Sequence, residues 1–411
     1  MKKIVLLTSK FPYNSGEEFL ESEINELNSE TKVYIYATDV ADNWQKIRKF
    51  PANVSALNLF HRPIDKIEKI EYSLCSLFSA DFIYCLMDMI KRKKFSIKNL
   101  KKTVSFLASG RRIARALYSK LKENDLTPDD TLLYSYWAMN MMYANVLLKR
   151  RKNYKIVTRC HDGDTIEQEL TGNYLPLRRK MLEEADMVYA ISNMMKDYIL
   201  NTLKAEAKVV VSHLGTEDCG IREFSKNING VFTIVSCATV YPIKRIDLIA
   251  KALMCIKDKP VKWIHFGGGG KEFDALRELS DTLPNNITTE LRGSVLHDKI
   301  MEYYKNNDVS LFINVSSSEG IPVSVMEAMS FGIPVIATNV GGTSELVDNE
   351  CGMLLSKDIT PNALKDAIEY FMKLNMEEYI KYRKKARVKW KSEFYGHYNF
   401  QNLYEHMLKL I

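Results

Sequence analysis

The chain has no C-x-x-C pair. Its seven cysteines, Cys75, Cys85, Cys160, Cys219, Cys237, Cys255 and Cys351, stand far apart. An odd, scattered set argues against a disulfide framework and against a cysteine zinc site, and reads as reduced, mostly buried thiols. Long apolar runs are also missing. Ile4 to Leu7 is too short for the core of a secretion signal. The longest apolar stretch, Tyr72 to Ile90, is broken by Asp81 and Asp88 and fails as a membrane span. These absences point to a cytoplasmic protein. Between Lys91 and Lys120 there is no Asp or Glu. Such a one-sign run is either a solvated helix face or an attraction to an anionic surface. The tetraglycine Gly267 to Gly270 is not a P-loop, because Glu272 follows Lys271 where Ser or Thr is required, and it lacks G-x-G-x-x-G spacing. There is no repeat, no low-complexity tract, and no Asp/His cluster that asks for a metal.

What is present is a folded composition. The 411 residues are 46% apolar with a net charge of +7, enough to bury two cores. Strand patterns at KIVLLTS, KVYIYATDV, TLLYSYW, KIVTRCH, MVYAIS and KVVVSHLG alternate with helical stretches, and Ile64 to Leu121 reads as helical, basic and amphipathic. A polar stretch after Gly215 reads as a linker. A second alternating block then runs VFTIVSCATV, VKWIHFG, ITTELRG, VSLFINV and PVIATNV, followed by a helical region from Pro361 carrying Trp390, Phe394, Phe400 and Tyr404. Strand–helix alternation predicts parallel sheets. The expected class is therefore α/β, with two tandem doubly wound, Rossmann-like domains at 1–218 and 229–385 and a closing helix at 386–411 that crosses back to the first. Each domain places its ligand crevice at the carboxyl ends of its strands, and a shared cleft between them is expected.

The most informative segment is Ser316 to Gly342, SSSEGIPVSVMEAMSFGIPVIATNVGG. A strand ends in small polar residues, Glu319 sits on the loop, and a helix starts near Ile321 to Pro322 with Glu327 inside it. Free amides at a helix start bind phosphate. One carboxylate on the loop can accept sugar hydroxyls, and a second two turns along can take the two hydroxyls of a ribose. This segment resembles the signature of family-4 retaining glycosyltransferases, through Gly320, Pro322, Glu327, Ala328, Gly332, Pro334, Val335 and Ala337. The resemblance implies the GT-B fold. It also implies that Glu319 meets the donor sugar, that Glu327 holds the ribose, and that the backbone of Gly320, Ile321, Pro322 and Val323 meets sugar and diphosphate. The family's basic pair, Gly-Arg then Lys, is only half present: Lys244 matches the Lys, while Ala238 and Thr239 stand where the Arg belongs. Arg245 is either its substitute or a helix-surface residue. By the same resemblance, Gly268 lies in a turn near the donor, and Val295, beside Ser294, marks where backbone meets the nucleobase.

In the first domain the resemblance puts Gly16 in the turn approaching the donor phosphates. Glu17 and Glu18 read as acids in the first helical turn. Arg159, His161 and Asp164 resemble the family's R-x-H-x-x-D, with His161 beside the reacting sugar. The implied activity is retaining transfer of a sugar from a nucleotide-diphosphate sugar, UDP before GDP, to a glycan or lipid-diphosphate-linked acceptor in capsule, exopolysaccharide or lipopolysaccharide synthesis. No metal or other cofactor is expected, and no nucleic acid partner. A stripe of Val104, Leu107, Ile113 and Leu117 beside Arg111, Arg112 and Arg115 suggests peripheral contact with an anionic membrane. The residues leave open a nucleotide-sugar epimerase or hydrolase of the same fold, and a non-catalytic nucleotide or nucleic-acid binder.

Overall fold

A strand buried on both faces needs a nearly continuous apolar run, and runs such as Ile4 to Leu7 and Val33 to Ala37 meet that need with complete burial. The computed structural model describes all residues except 1, 14–16, 18, 28–29, 40–49, 168–172, 221–229 and 258. It divides into two units, Met1–His213 with Tyr398–Ile411, and Leu214–His397. Boundaries were expected at 218 and 229, and the returning segment at 386.

The first unit runs β1 (Lys3–Thr8), α1 (Phe19–Asn25), β2 (Lys32–Ala37), β3 (Val54–Asn58), α2 (Lys66–Leu77), α3 (Ala80–Lys91), α4 (Ile97–Glu123), β4 (Thr131–Ser135), α5 (Asn140–Lys152), β5 (Lys155–Cys160), α6 (Asp162–Thr165), α7 (Arg178–Glu184), β6 (Met187–Ala190), α8 (Asn193–Asp197) and β7 (Val209–Val211). Its strands form a seven-stranded parallel sheet in the order β3-β2-β1-β4-β5-β6-β7. The long helical stretch breaks into three because Asp65, Ser79 and Ser96 each cap the next helix, accepting the amide of Glu68, Phe82 and Asn99 respectively. Here the structure corrects the sequence. Leu107, Ile113 and Leu117 of α4 lie buried in the core with residues of α5, so that stripe faces the protein and not a membrane.

The second unit runs β8 (Phe232–Cys237), α9 (Ile246–Leu253), β9 (Val261–Phe266), α10 (Gly270–Ser280), β10 (Ile287–Leu291), α11 (His297–Asn306), β11 (Leu311–Asn314), α12 (Val323–Ser330), β12 (Val335–Thr338), α13 (Thr343–Leu346), β13 (Gly352–Leu355), α14 (Pro361–Lys373) and α15 (Met376–Glu393). Its six-stranded parallel sheet has the order β10-β9-β8-β11-β12-β13. The last helix α15 stays with this unit. Buried Trp390 donates from Nε1 to Thr216 Oγ1 at 2.8 Å, and Arg383 donates to the carbonyls of Val309 and Phe331. The final helix, α16 (Gly396–Leu408), belongs to the first unit from Tyr398 on. In each sheet the strand order reverses at one place, between β1 and β4 and between β8 and β11, and the carboxyl ends of those strands are where doubly wound sheets hold ligands.

Arg159 on β5 is completely buried and pairs with Glu23 of α1, equally buried. Its guanidinium also donates to the carbonyls of Ser212 (3.0 Å) and His213 (3.1 Å), while Tyr134 and Tyr404 each donate a hydroxyl to Glu23 at 3.3 Å. One ion pair thus ties β4, β5, α1, α16 and the segment after β7. Arg159→Met leaves a buried carboxylate without its counter-charge and is expected to destabilise the first unit by about 3–5 kcal/mol, read as an earlier urea midpoint. Adding Glu23→Leu should recover most of that loss.

Candidate functional site

At the switch point of the second sheet, the chain leaves β8 through Ala238 to Tyr241 into a single 3-10 turn, Pro242–Lys244. The neighbouring strand β11 ends at Asn314, followed by the loop to α12. These two exits bring Lys244 and Glu319 together, Nζ to Oε1 at 2.7 Å. Asn314 Nδ2 (3.2 Å) and the Ser316 hydroxyl donate to the same oxygen. Three donors therefore converge on one carboxylate oxygen, and Lys244 is its one cationic partner among the described residues.

Arg245 is placed otherwise. It takes a left-handed backbone, φ 49°, at the start of α9, and its guanidinium donates to the carbonyls of Val315 (2.7 Å), Ser316 (3.1 Å) and Lys357 (2.7 Å). It braces the loop that carries Glu319. A second brace comes from the glycines after β12. Gly341 has φ 55°, and a Cβ there would lie 1.5 Å from the carbonyl oxygen of Glu319. The amide of Gly342 donates to the carbonyl of Gly320 at 2.6 Å. Only glycine lets these two loops touch.

The helix α12 starts at Val323, one residue later than expected, with Pro322 as its N-cap in extended conformation. Gly320 and Ile321 precede it on the loop, so the first amides of the helix lie directly behind Glu319 in sequence. Glu327 is buried one turn into α12, where Oε1 is 2.8 Å from Nε2 of His297 at the start of α11. Val295 is half-buried two residues before that histidine. Gly268 sits in the turn after β9, its carbonyl accepting from Val240 and its Cα facing Ser294. Gly267 (φ 126°) would place a Cβ 1.8 Å from the carbonyl of Ala238. The glycine turn is thus a close joint between the loops at 238–240 and 293–294.

In the first unit, His161 ends β5 and caps α6. Its ring is 7% exposed and lies against Tyr136 (4.9 Å between centroids) and Trp137 (4.4 Å). Its Nδ1 faces the Asp164 carboxylate at 3.7 Å, longer than a hydrogen bond, and Nε2 meets no hydrogen-bond partner among the described residues. Asp164 accepts the amides of His161 (2.8 Å) and Ala138 (2.7 Å), holding the exits of β5 and β4 together. Arg159 is the buried strut described above. Gly16 and Glu18 lie outside the described residues. Glu17 is not a first-turn helical acid: α1 begins at Phe19, and Glu17 turns back with φ 56°. Its carboxylate accepts the amides of Ser9 (3.0 Å), Lys10 (2.7 Å) and Phe11 (2.8 Å) and the indole N–H of Trp137 (2.5 Å). Three successive amides at a strand exit form an anion-binding concavity, which outcompetes the helix start for the carboxylate.

Sequence reasoning missed His297, Glu17 and Trp137. His297 carried one usable sign, its place two residues after the segment likened to a nucleobase site. Trp137 had another, an aromatic directly at the exit of a central strand.

With this geometry in place, comparison with known proteins shows what the chain is similar to. Residues 218–389 match the family model described as glycosyl transferases group 1, and that stretch is a domain of this family. The whole chain has the GT-B fold. It aligns with sucrose-phosphate synthase from Thermosynechococcus elongatus over 100% of this chain and 99% of that one (TM-score 0.74, 15% identity). It aligns with Anabaena HepE, solved in complex with UDP and glucose, over 99% of each (TM-score 0.66, 15% identity). Among curated relatives, the putative colanic acid biosynthesis glycosyltransferase WcaL of Escherichia coli K12 is 26% identical over 249 residues, 58% of this chain and 61% of that protein. The chain thus spans less than two thirds of the length of the first curated relatives it matches.

The His297–Glu327 contact sets a pH dependence. Donating a hydrogen bond to the Glu327 carboxylate raises the imidazole pKa above its ordinary 6.5, burial opposes this, and the charges of Glu327, Asp298 and Glu217 add to it. Because the folded value lies above the unfolded one, the contact stabilises fully below pH about 6.5 and its contribution is lost as pH rises through the raised value. NMR titration should therefore show His297 titrating above its ordinary value, and falling back towards it in Glu327→Gln. The melting temperature should exceed that of His297→Gln at about pH 6 and match it by about pH 9.

Proposed function

We propose that the chain is a retaining glycosyltransferase that moves a sugar from a nucleotide-diphosphate sugar, UDP before GDP, to a glycan or lipid-diphosphate-linked acceptor in cell-surface polysaccharide synthesis, at the inner face of the membrane. The observation that carries this is the convergence of Lys244, Glu319 and the start of α12 at one switch point, with Glu327 one turn behind. The relative named for colanic acid biosynthesis and the neighbour solved with UDP and glucose support the same reading.

On this reading the diphosphate replaces Glu319 as the counter-ion of Lys244 and takes the amides at the start of α12, where unsatisfied N–H groups and the helix dipole favour negative charge. Glu319, released, accepts hydroxyls of the donor sugar. Glu327 exchanges His297 for the ribose hydroxyls. The acceptor hydroxyl attacks the anomeric carbon on the face from which the diphosphate departs. The bond from that carbon to the diphosphate oxygen breaks, and the acceptor proton passes to a diphosphate oxygen. Charge on the leaving group is the main cost, and fixed donors already aimed at it lower that cost. The charge is met by side chain and backbone, so we propose that the reaction needs no metal.

Calorimetric titration with UDP and GDP tests the donor site. UDP is expected to bind, and Glu327→Ala to weaken it about 10- to 100-fold, the worth of hydrogen bonds to a charged group. If neither nucleotide bound the wild-type protein, the glycosyltransferase reading would fail. Incubation with the sugar nucleotide alone, yielding only free sugar or an epimerised donor whatever acceptor is added, would instead favour a hydrolase or epimerase.

A further inference from the structure

The helices that lead into α4 are inside out. Along α2, Ile67, Ile70, Leu74 and Leu77 recur at helical spacing on the outer side, with Ile67 79% exposed. In the bend that follows, Phe78 is 87% exposed. On α3 the outer residues are Ile83, Met87 and Ile90, while Asp81, Cys85 and Met89 face the protein. Phe95 and Ile97, before and at the start of α4, continue the surface. An exposed apolar area of this extent marks an interaction site and not the ordinary scatter of surface hydrophobics.

The charges around this face are sorted by sign. Its acids turn back onto cations of the protein: Glu68 to Arg62, Glu71 to Arg115, Asp88 to Arg92, and buried Asp81 to Arg150 and Lys180. The exposed lysines Lys66, Lys69, Lys91, Lys93, Lys98 and Lys101 make no ion pair among the described residues. What remains outward is aliphatic surface rimmed by lysine, the pattern of a helix lying in a membrane interface.

The geometry also shows how the face would lie. Among the described residues no single helix is long and apolar enough to cross a membrane. The pair α2 and α3 has the length and composition only together, and is bent by 66°. Asp81, held inside by Arg150, Lys180 and Tyr143, ties the inner side of α3 to the protein. The pair therefore cannot withdraw to span a bilayer, and presents one side only. A second copy of the chain is a poor occupant, because a two-fold contact would set the same lysines against each other.

We infer that the outer face of α2, α3 and the start of α4 docks onto an anionic lipid bilayer, its aliphatic side chains entering the acyl boundary and its lysines meeting lipid phosphates. This deepens the membrane part of the proposed function and moves the contact away from the α4 stripe, which is buried. It does not depend on the donor chemistry.

Vesicle flotation tests it on the full chain. Wild-type protein is expected to float with phosphatidylcholine vesicles containing phosphatidylglycerol, and about tenfold less with phosphatidylcholine alone. Ile70→Asp/Phe78→Ser/Ile83→Asp should stay at the bottom of the gradient. Lys69→Gln/Lys93→Gln should lose about tenfold on anionic vesicles and little on neutral ones. All these side chains are exposed, so melting temperature and UDP binding should match the wild type in each variant. That separates failure of this surface from failure of the donor reading. Equal flotation of the apolar variant would overturn the inference. So would a dimer of the wild type in lipid-free sedimentation that the apolar variant abolishes, because the face would then belong to a second copy.

Discussion

A lysine placed at the exit of a buried strand, among backbone amides and a helix start, sits in a region already rich in positive potential. It needs an anion. In this chain the anion is Glu319, and the arrangement of the second unit follows from holding that pair in place. Arg245 ties the loop after β11 through the carbonyls of Val315 and Ser316, and joins it to the segment after β13 through that of Lys357. Gly341 and Gly342 press the loop after β12 against the backbone of Glu319 and Gly320. The glycine turn after β9 closes on the loop that leads to Lys244. Each of these is a backbone contact made at the carboxyl end of a strand, so the parallel sheet itself sets the spacing of the charged groups.

The same logic recurs in the first unit. Three amides after β1 would make a binding site for any anion, and the carboxylate of Glu17 fills it. In both units a side chain of the protein stands where a ligand's negative charge would be favoured. A carboxylate used in this way holds the loop in place without a ligand. His161 is the opposite case: a buried ring beside the Asp164 carboxylate, whose Nε2 has no hydrogen-bond partner among the described residues.

Much of this was legible in the sequence. The central strands could be read because burial on both faces writes an unbroken apolar run; Glu319 and Glu327 stood out as carboxylates on a strand–loop–helix exit, and Lys244 only through its resemblance to the family's basic pair. The edge strands β3 and β13 could not: each is short and only partly buried, and so carries no such run. His297 and Trp137 were missed because their partners are remote in sequence, 30 residues away for His297 and Glu327 and 120 for Trp137 and Glu17. The stripe at Val104 to Leu117 was read with the right period and the wrong side. Periodicity states which residues share a face; whether that face turns inward depends on α5, which packs there. The same limit applies to α2 and α3, which read only as part of a helical, amphipathic stretch with no side assigned.

The central claim is that Glu319 and the donor diphosphate compete for Lys244. Calorimetric affinity for UDP in Glu319→Gln tests it most directly, because UDP lacks the transferred sugar that Glu319 would contact. The account predicts that this variant binds UDP more tightly than the wild type, while Lys244→Ala binds it more weakly, and that the gain from Glu319→Gln vanishes in the double variant. If Glu319→Gln weakened UDP as much as Lys244→Ala, the two side chains would act together on the nucleotide and the exchange of counter-ions would be contradicted.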